Sequence, residues 1–429
     1  MITRSMTRII EEREQRLAHP IEAIDELQDK PYGRKVLRPG DCNPSMCFSL
    51  TKQEGTWLLS SSYFIGMDWL EKGQSAIRIL PKFNTGNGDV QVDYLSMLRE
   101  ALTEPKNFEH LDGLLFIDFK SPCIDIPQQD DALSLFLVSE FLSVMSAITK
   151  KGLKKAYYQV EENIRAKIKG KVLVGKNVKK NHVRGNLSNN YCRYQEYGVD
   201  IPENRLLKTA LVETMHIVDF YKKEKVDVEH LATIVRTITP RWTKVSIKTH
   251  TKFLRESRSN SFYKEYPIAC RLAQLILKRT SINHIRHGAK TSKTPPYWID
   301  MSKLFEMYAL KLLRERFGNQ VEYHTQFYGG QEPDYLLHSS EQYPAYIVDA
   351  KYKCYGERTI EKDDIRQVSG YARLKTIRKH LNVQDKSIIP CLIVYPAING
   401  NDKIPDYKEW KEEGHYEEIY KVGIRLPLI

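Results

Sequence analysis

The strand that ends in Asp349, Ala350 and Lys351 constrains this chain more than any other stretch. Residues 345–351 run Ala-Tyr-Ile-Val and then turn charged. Side chains alternate across a strand, so Asp349 and Lys351 project from one face. A shorter apolar strand, Tyr335 to Leu337, lies upstream and directly follows Pro333-Asp334. The polar turn Ser339-Ser340-Glu341-Gln342 joins the two, and such a hairpin brings Asp334 beside Asp349 and Lys351. Two carboxylates and one ammonium on a buried sheet face are unfavourable unless something pairs them. A divalent cation does this, and hard oxygen ligands suit Mg²⁺. Such an ion polarises a phosphoryl oxygen and acidifies water, while Lys351 can orient that water or offset transition-state charge.

The surroundings fit a compact α/β unit. Asp300 can cap a helix in which Met301, Leu304, Phe305, Tyr308 and Leu312 recur at helical spacing. A strand is expected over 321–328, closed by Gly329-Gly330. A helix is expected over 363–380, and a buried strand over 388–395 that carries an unusual Pro390. The order is helix, three strands, helix, strand. Glu306 lies on the flank of the first helix, where it either reaches the metal as a third acid or is simply solvated. Gln367 and Tyr371 are four apart and share a face of the second helix.

The remainder reads differently. Residues 1–45 are polar, with Pro20, Pro31, Pro39 and Pro44, and are expected as an irregular arm that opens with a short helix. Residues 46–125 are β-rich, with strands over 57–67, 75–80 and 114–119 and one helix over 92–102. Residues 126–290 are mainly helical and basic, with helices over 131–149, 156–168 and 203–221. Short strands are expected over 171–174 and around Cys192. Residues 291–429 are the α/β unit. The predicted class is therefore α+β and multidomain, as 429 residues allow.

Charge narrows the function. Lys and Arg number 66 against 54 Asp and Glu, a net +12, which favours anionic partners with nucleic acid first. Eight basic residues and no acid lie between Arg165 and Arg184, among them Lys171, Lys176, Lys179, Lys180 and Arg184. A second basic stretch holds Arg236, Arg241, Lys244, Lys248, Lys252, Arg255 and Arg258. Each run suits phosphate contact, or else a solvated or partner-binding face. The longest apolar run, 133–148, contains Glu140 and four serines, so no membrane span is expected. The charged N-terminus has no signal-peptide core. Seven scattered cysteines without a CxxC lack zinc, iron–sulfur or disulfide spacing. A cytoplasmic protein with free thiols is the expectation.

Weaker signals fall away on their chemistry. Asp118-Phe119-Lys120 also follows an apolar strand but has no Pro-Asp partner upstream. Gly170 to Asn177 nearly fits a P-loop, yet it lacks the closing Ser/Thr and has a strand-like Val-Leu-Val interior. Any nucleotide is therefore expected on a partner. His284 and His287 have no further ligand at metal spacing.

The Pro-Asp … Asp-Ala-Lys pattern matches the PD-(D/E)xK nuclease signature, and Gln-xxx-Tyr after it resembles the RecB-like branch. The segment Ile299 to Glu306 resembles the one before the nuclease hairpin in the McrC family. So do Tyr63-Phe64-Ile65-Gly66, Leu80-Pro81-Lys82, Glu161-Glu162-Asn163, Gly170-Lys171, Cys192 and Asp200 to Lys208. The resemblance covers most of the chain from about residue 55 and is weakest over 1–45 and 222–290. It implies a C-terminal restriction-endonuclease-like domain and an N-terminal β-rich domain that docks into a ring of an McrB-like AAA+ GTPase. GTP would be bound by that partner only, and its hydrolysis stimulated by this chain. Modified-cytosine DNA would be cut to leave a 5′-phosphate. Asp334, Asp349 and the Ala350 carbonyl would hold Mg²⁺ or Mn²⁺, Lys351 would position the water, and Glu306 and Gln367 would support them. Two alternatives stay open: a stand-alone RecB-like nuclease, and an inactive adaptor of an AAA+ motor.

Overall fold

The computed structural model describes the chain apart from residues 1–7, 15–17, 22–26, 28–29, 39–41, 84–90, 105, 108–109, 119, 128–132, 224–227, 248–262, 286–290, 354, 356–358, 384–387 and 429. Two compact units form. One joins residues 1–136 to 289–429, and the other holds 137–288.

The first unit begins with β1 (Arg8–Arg13), β2 (His19–Ile21), β3 (Tyr32–Val36), β4 (Ser45–Gln53), β5 (Thr56–Ser61), β6 (Phe64–Glu71) and β7 (Ser75–Leu80). Helix α1 (Tyr94–Ala101), β8 (Leu115–Ile117) and β9 (Ile124–Pro127) follow. β2, β5, β4 and β3 make an antiparallel sheet. β1 runs parallel to β7, with Arg8 opposite Ser75. The first 45 residues are thus not an irregular arm with a short helix, because β1, β2 and β3 lie in them. β1 and β2 pair with β7 and β5, which are distant in sequence, so their local sequence carries little of the strand signal, whereas β3 pairs with the next strand, β4.

Tyr297–Asp300 enters the same sheet between β6 and β8. That crossing places the N- and C-terminal segments, read from the sequence as separate domains, in one unit. The approach is tightest at Gly66 (φ +153°), where a Cβ would stand 2.1 Å from the Tyr297 carbonyl oxygen. Gly66→Ala is therefore expected to force the strands apart and lower stability by about 2 kcal/mol. The urea midpoint should fall with the m-value unchanged.

The second unit takes most of α2 (Leu133–Lys151), then β10 (Ala156–Arg165), β11 (Lys171–Val172), α3 (Val174–Lys180), β12 (Asn189–Gly198), α4 (Pro202–Lys223), α5 (Glu229–Ile238) and α6 (Glu265–Ile285). β10 overturns the helix expected over 156–168. It pairs along its whole length with β12, from Ala156 opposite Gly198 to Arg165 opposite Asn189. The ladder pairs the backbone groups of β10 that face β12, and β10 is the edge strand of this sheet. The fully buried Trp242 donates its indole N–H to Thr149 Oγ1 at 3.0 Å.

The first unit resumes with β13 (Thr291–Thr294), β14 (Tyr297–Asp300), α7 (Met301–Phe317), β15 (Val321–Tyr323), β16 (Tyr335–Leu337), β17 (Tyr346–Ala350), α8 (Lys362–Ala372), α9 (Lys375–His380), β18 (Cys391–Asn401), β19 (Lys411–Glu412) and β20 (Ile419–Ile424). Asp300 caps α7 by accepting from the Ser302 and Lys303 amides. Six strands make one mixed sheet in the order β15-β16-β17-β18-β20-β19. β15 to β17 are antiparallel, whereas β17, β18 and β20 are parallel.

The single helix expected over 363–380 is broken at Arg373-Leu374 into α8 and α9. Leu374 takes an extended conformation there and packs on the core that α8 and α9 share with the sheet. Pro390 lies just before β18 and not in it, so no ladder donor is missing, and its carbonyl accepts from Ile347. β15 ends at Tyr323, five residues short of the expected strand. β20, a central partner of β18, carries too little periodicity over Ile419–Ile424 to be read locally.

Candidate active site

Alternation along the mixed sheet decides what meets. Tyr335 lies opposite Val348, so the next pair outward is Asp334 opposite Asp349. Leu336 and Ile347 share that face and pack with Ile365, Val368 and Tyr371 of α8. Tyr335 points the other way, and its hydroxyl donates to the Glu306 carbonyl of α7 at 2.6 Å.

The Asp334 carboxylate is fixed by the Ala350 amide, which donates to Oδ2 at 2.8 Å. Asp349 is completely buried. Lys351 Nζ sits 2.8 Å from its Oδ2, and Asp349 Oδ1 has no hydrogen-bond donor. Lys351 also donates to Gln367 Oε1 at 2.9 Å. Gln367 Nε2 donates onward to the Tyr371 hydroxyl at 3.2 Å, which in turn donates to the Glu332 carbonyl at 3.4 Å. The chain of contacts pins Lys351 from α8.

Burial pushes Asp334 well above the usual carboxylate range, and the Asp349 and Glu306 charges push it further, while Lys351 pulls it back. Burial raises Asp349 too, against the pull of Lys351. For Lys351, burial opposes the charged form but Asp349 and Asp334 more than offset it, so the ammonium is held. The cluster has more negative than positive charge and an orphaned buried oxygen. Those are the conditions that a hard divalent cation satisfies. Asp334 and Asp349 fit Mg²⁺ by donor chemistry. Of Ala350 the structure fixes the amide, bonded to Asp334.

Sequence reading missed His324. Its backbone lies in the left-handed region (φ +50°), its amide donates to the Asp334 carbonyl, and its ring stands 2.9 Å from Glu332 and 3.6 Å from Glu306. A non-glycine residue held at positive φ marks a place where surrounding contacts overrule local preference. Nothing in Tyr-His-Thr-Gln announces this. Glu306 acts on both aspartates electrostatically and faces His324.

Other candidates are placed elsewhere. Asp118 caps its own turn, accepting from the Lys120 and Ser121 amides, and pairs with Arg34 at 3.2 Å. Phe119 is outside the described residues. In the 137–288 unit, Lys171, Lys179 and Arg184 are exposed. Lys176 is ion-paired to Glu161, which also binds Arg193, and Lys180 lies 4.6 Å above the Tyr191 ring. Arg236 pairs with Glu229, and Arg241 donates to the Thr149 carbonyl at 3.4 Å. Lys248, Lys252, Arg255, Arg258 and His287 lie outside the described residues, as does the side chain of His284. Among the described residues no helix is long and apolar enough to cross a membrane.

Residues 63–396 match the family described as McrBC 5-methylcytosine restriction system component. The chain belongs to this McrBC family. Among solved structures, it is similar to a chain in a half-complex from a tetradecameric assembly of Thermococcus gammatolerans McrB AAA+ hexamers with bound McrC. Identity is 16%, with 87% of this chain and 80% of that chain covered, at a TM-score of 0.35. A chain of the Thermococcus gammatolerans McrBC complex is similar at 14% identity, covering 62% of this chain and 69% of that one, with a TM-score of 0.27. A search of curated proteins gives no match. The family match spans the McrBC chain from Tyr63 in the N-terminal strands through the whole Asp334, Asp349 and Lys351 cluster.

Proposed function

We propose that this chain is the Mg²⁺-dependent DNA endonuclease subunit of an McrBC-type modified-cytosine restriction system, built on a PD-(D/E)xK nuclease domain. The observation that carries the reading is half-buried Asp334 beside fully buried Asp349, whose Oδ1 is orphaned, with Lys351 held between Asp349 and Gln367. When bound, Mg²⁺ supplies Lewis-acid activation of the scissile phosphate. The chain's own groups do the rest. Asp334 and Asp349 present a preformed anionic cradle. Lys351, kept charged by both aspartates, places a fixed positive charge where negative charge grows on the phosphorus oxygens. Gln367, itself bonded to Tyr371, gives that ammonium a second anchor beside Asp349 and so fixes its position. Glu306 adds a third acid, oriented by His324. Exposed Lys171, Lys179 and Arg184 suit sequence-independent phosphate contact. Family membership supports an McrB-like AAA+ partner that binds GTP and recognises the modified DNA.

The test is plasmid cleavage with Mg²⁺ on cytosine-methylated and unmethylated DNA, with and without the AAA+ partner and GTP. Wild type should cut methylated DNA only when partner and GTP are present. Lys351→Ala should cut about 100-fold more slowly, as expected for loss of one transition-state contact. Cutting by wild type alone would favour a stand-alone nuclease. Equal activity of wild type and Lys351→Ala would leave the adaptor reading.

A further inference from the structure

At the far edge of the mixed sheet, away from Asp334 and Asp349, three ligating side chains converge from three elements. Glu322 lies on β15, His338 follows β16, and His380 is the last residue of α9. One ligand atom from each lies within 4.8 Å of the others. The contacts divide the carboxylate evenly, with His338 Nε2 at 2.8 Å from Oε1 and His380 Nε2 at 2.6 Å from Oε2. Thr325 Oγ1 donates to Oε2 at 3.2 Å, and the Phe327 ring packs edge-on against His380 at 5.4 Å. Asp334 and His338 flank β16 at its two ends, roughly 13 Å apart by strand rise.

We propose that Glu322, His338 and His380 form a second metal site, for Zn²⁺ or a similar borderline divalent cation, separate from the cleavage centre and independent of the cleavage reading. Imidazole and carboxylate together select such ions over Mg²⁺. Tetrahedral Zn²⁺ with bonds of about 2.0–2.1 Å needs donor atoms roughly 3.3 Å apart. Changes in spacing of at most about 1.5 Å from the present arrangement reach it. Glu322 and His338 are half-buried and His380 is exposed, so a fourth position faces water. The two histidines come from elements that the chain connects only through β17 and α8. A metal here would therefore tie α9, and with it the helix pair that carries Gln367, to the β15–β16 edge. A simple ion-paired cluster makes the same contacts without a metal, and the experiment separates the two.

The full chain is dialysed against micromolar Zn²⁺ and its metal content measured for wild type, Asp334→Asn, His380→Ala and His338→Ala/His380→Ala. Asp334→Asn disables the other cation site. Asp334→Asn should hold one Zn²⁺ per chain and wild type at least one, with Tm raised by about 5 °C at saturating metal. The double variant should hold one Zn²⁺ per chain fewer than wild type and lose that part of the shift. His380→Ala alone, at an exposed position that leaves the core intact, should bind at least tenfold more weakly. No Zn²⁺ in wild type, or occupancy unchanged in the histidine variants, overturns the site and leaves an ion pair only.

Discussion

Asp334→Asn should abolish Mg²⁺-dependent DNA cleavage, by about 1000-fold or more, and at the same time raise the melting temperature of the metal-free protein by about 4 °C. The two effects have one cause. Asp334 is half-buried beside Asp349 and Glu306, with the Lys351 ammonium to share among them. Without a cation its charge is a burden on the fold. Asparagine keeps the shape and can still accept from the Ala350 amide, while Asp349 and Lys351 remain as a matched pair. On the proposed nuclease function, loss of one carboxylate that would hold Mg²⁺ removes several kcal/mol of transition-state stabilisation, and about 4 kcal/mol corresponds to 1000-fold in rate.

The sign of the pH dependence follows. Asp334 has a folded-state pKa raised above its unfolded value. Its contribution to stability is therefore fully present below about pH 4 and is lost as pH rises through the folded value. The advantage of Asp334→Asn should vanish near pH 4 and grow toward pH 8. Added Mg²⁺ should raise the wild-type melting temperature at pH 8 and leave that of Asp334→Asn nearly unmoved. Thermal melts across pH with and without Mg²⁺ check this. A variant less stable than wild type at pH 8 without metal would contradict the assigned burden.

Glu14→Gln should stabilise the protein by about 3 kcal/mol at pH 8. Glu14 follows β1 and is fully buried where the N-terminal sheet meets the residue after Lys351. Its Oε1 accepts from the Tyr352 hydroxyl at 2.8 Å and from the Lys82 amide at 3.2 Å, while Oε2 has no donor. Burial pushes its pKa up to about 7, against Lys82 and the Tyr352 hydrogen bond. A raised carboxyl gives stability below about pH 4.5 that is lost as pH rises through 7. The 2.5-unit difference between about 7 and 4.5 corresponds to roughly 3 kcal/mol. Glutamine keeps both acceptor contacts and does not ionise. Urea denaturation should show wild-type stability falling between pH 5 and 8, with a flatter profile for Glu14→Gln. Parallel slopes would show that Glu14 ionises freely in the fold.

The C-terminal sheet was legible because its signals are local. Asp300 as a cap, the heptad-like row Met301 to Leu312, and the short strands 335–337 and 346–350 each depend on a few consecutive residues. The Asp334 and Asp349 juxtaposition followed from strand alternation and one turn. What stayed hidden needs partners far away in the chain. β1 becomes a strand only beside β7, β10 only beside β12, and Glu14 reaches Tyr352 only after the whole N-terminal sheet is assembled. His324 owes its left-handed backbone to the contacts around Asp334 and not to its neighbours in sequence.

The sequence by itself determined which groups are available: two aspartates and a lysine in strand alternation, with a glutamine and a tyrosine one helical turn apart. It determined them because side-chain direction in a strand or helix is set by the local backbone repeat. Only the tertiary structure decided how deeply Asp349 is buried, that its Oδ1 is left without a donor, and that Lys351 is anchored by Gln367. Burial and pairing depend on which distant segments pack over the strand, and the same packing fixes the charge state of the cluster.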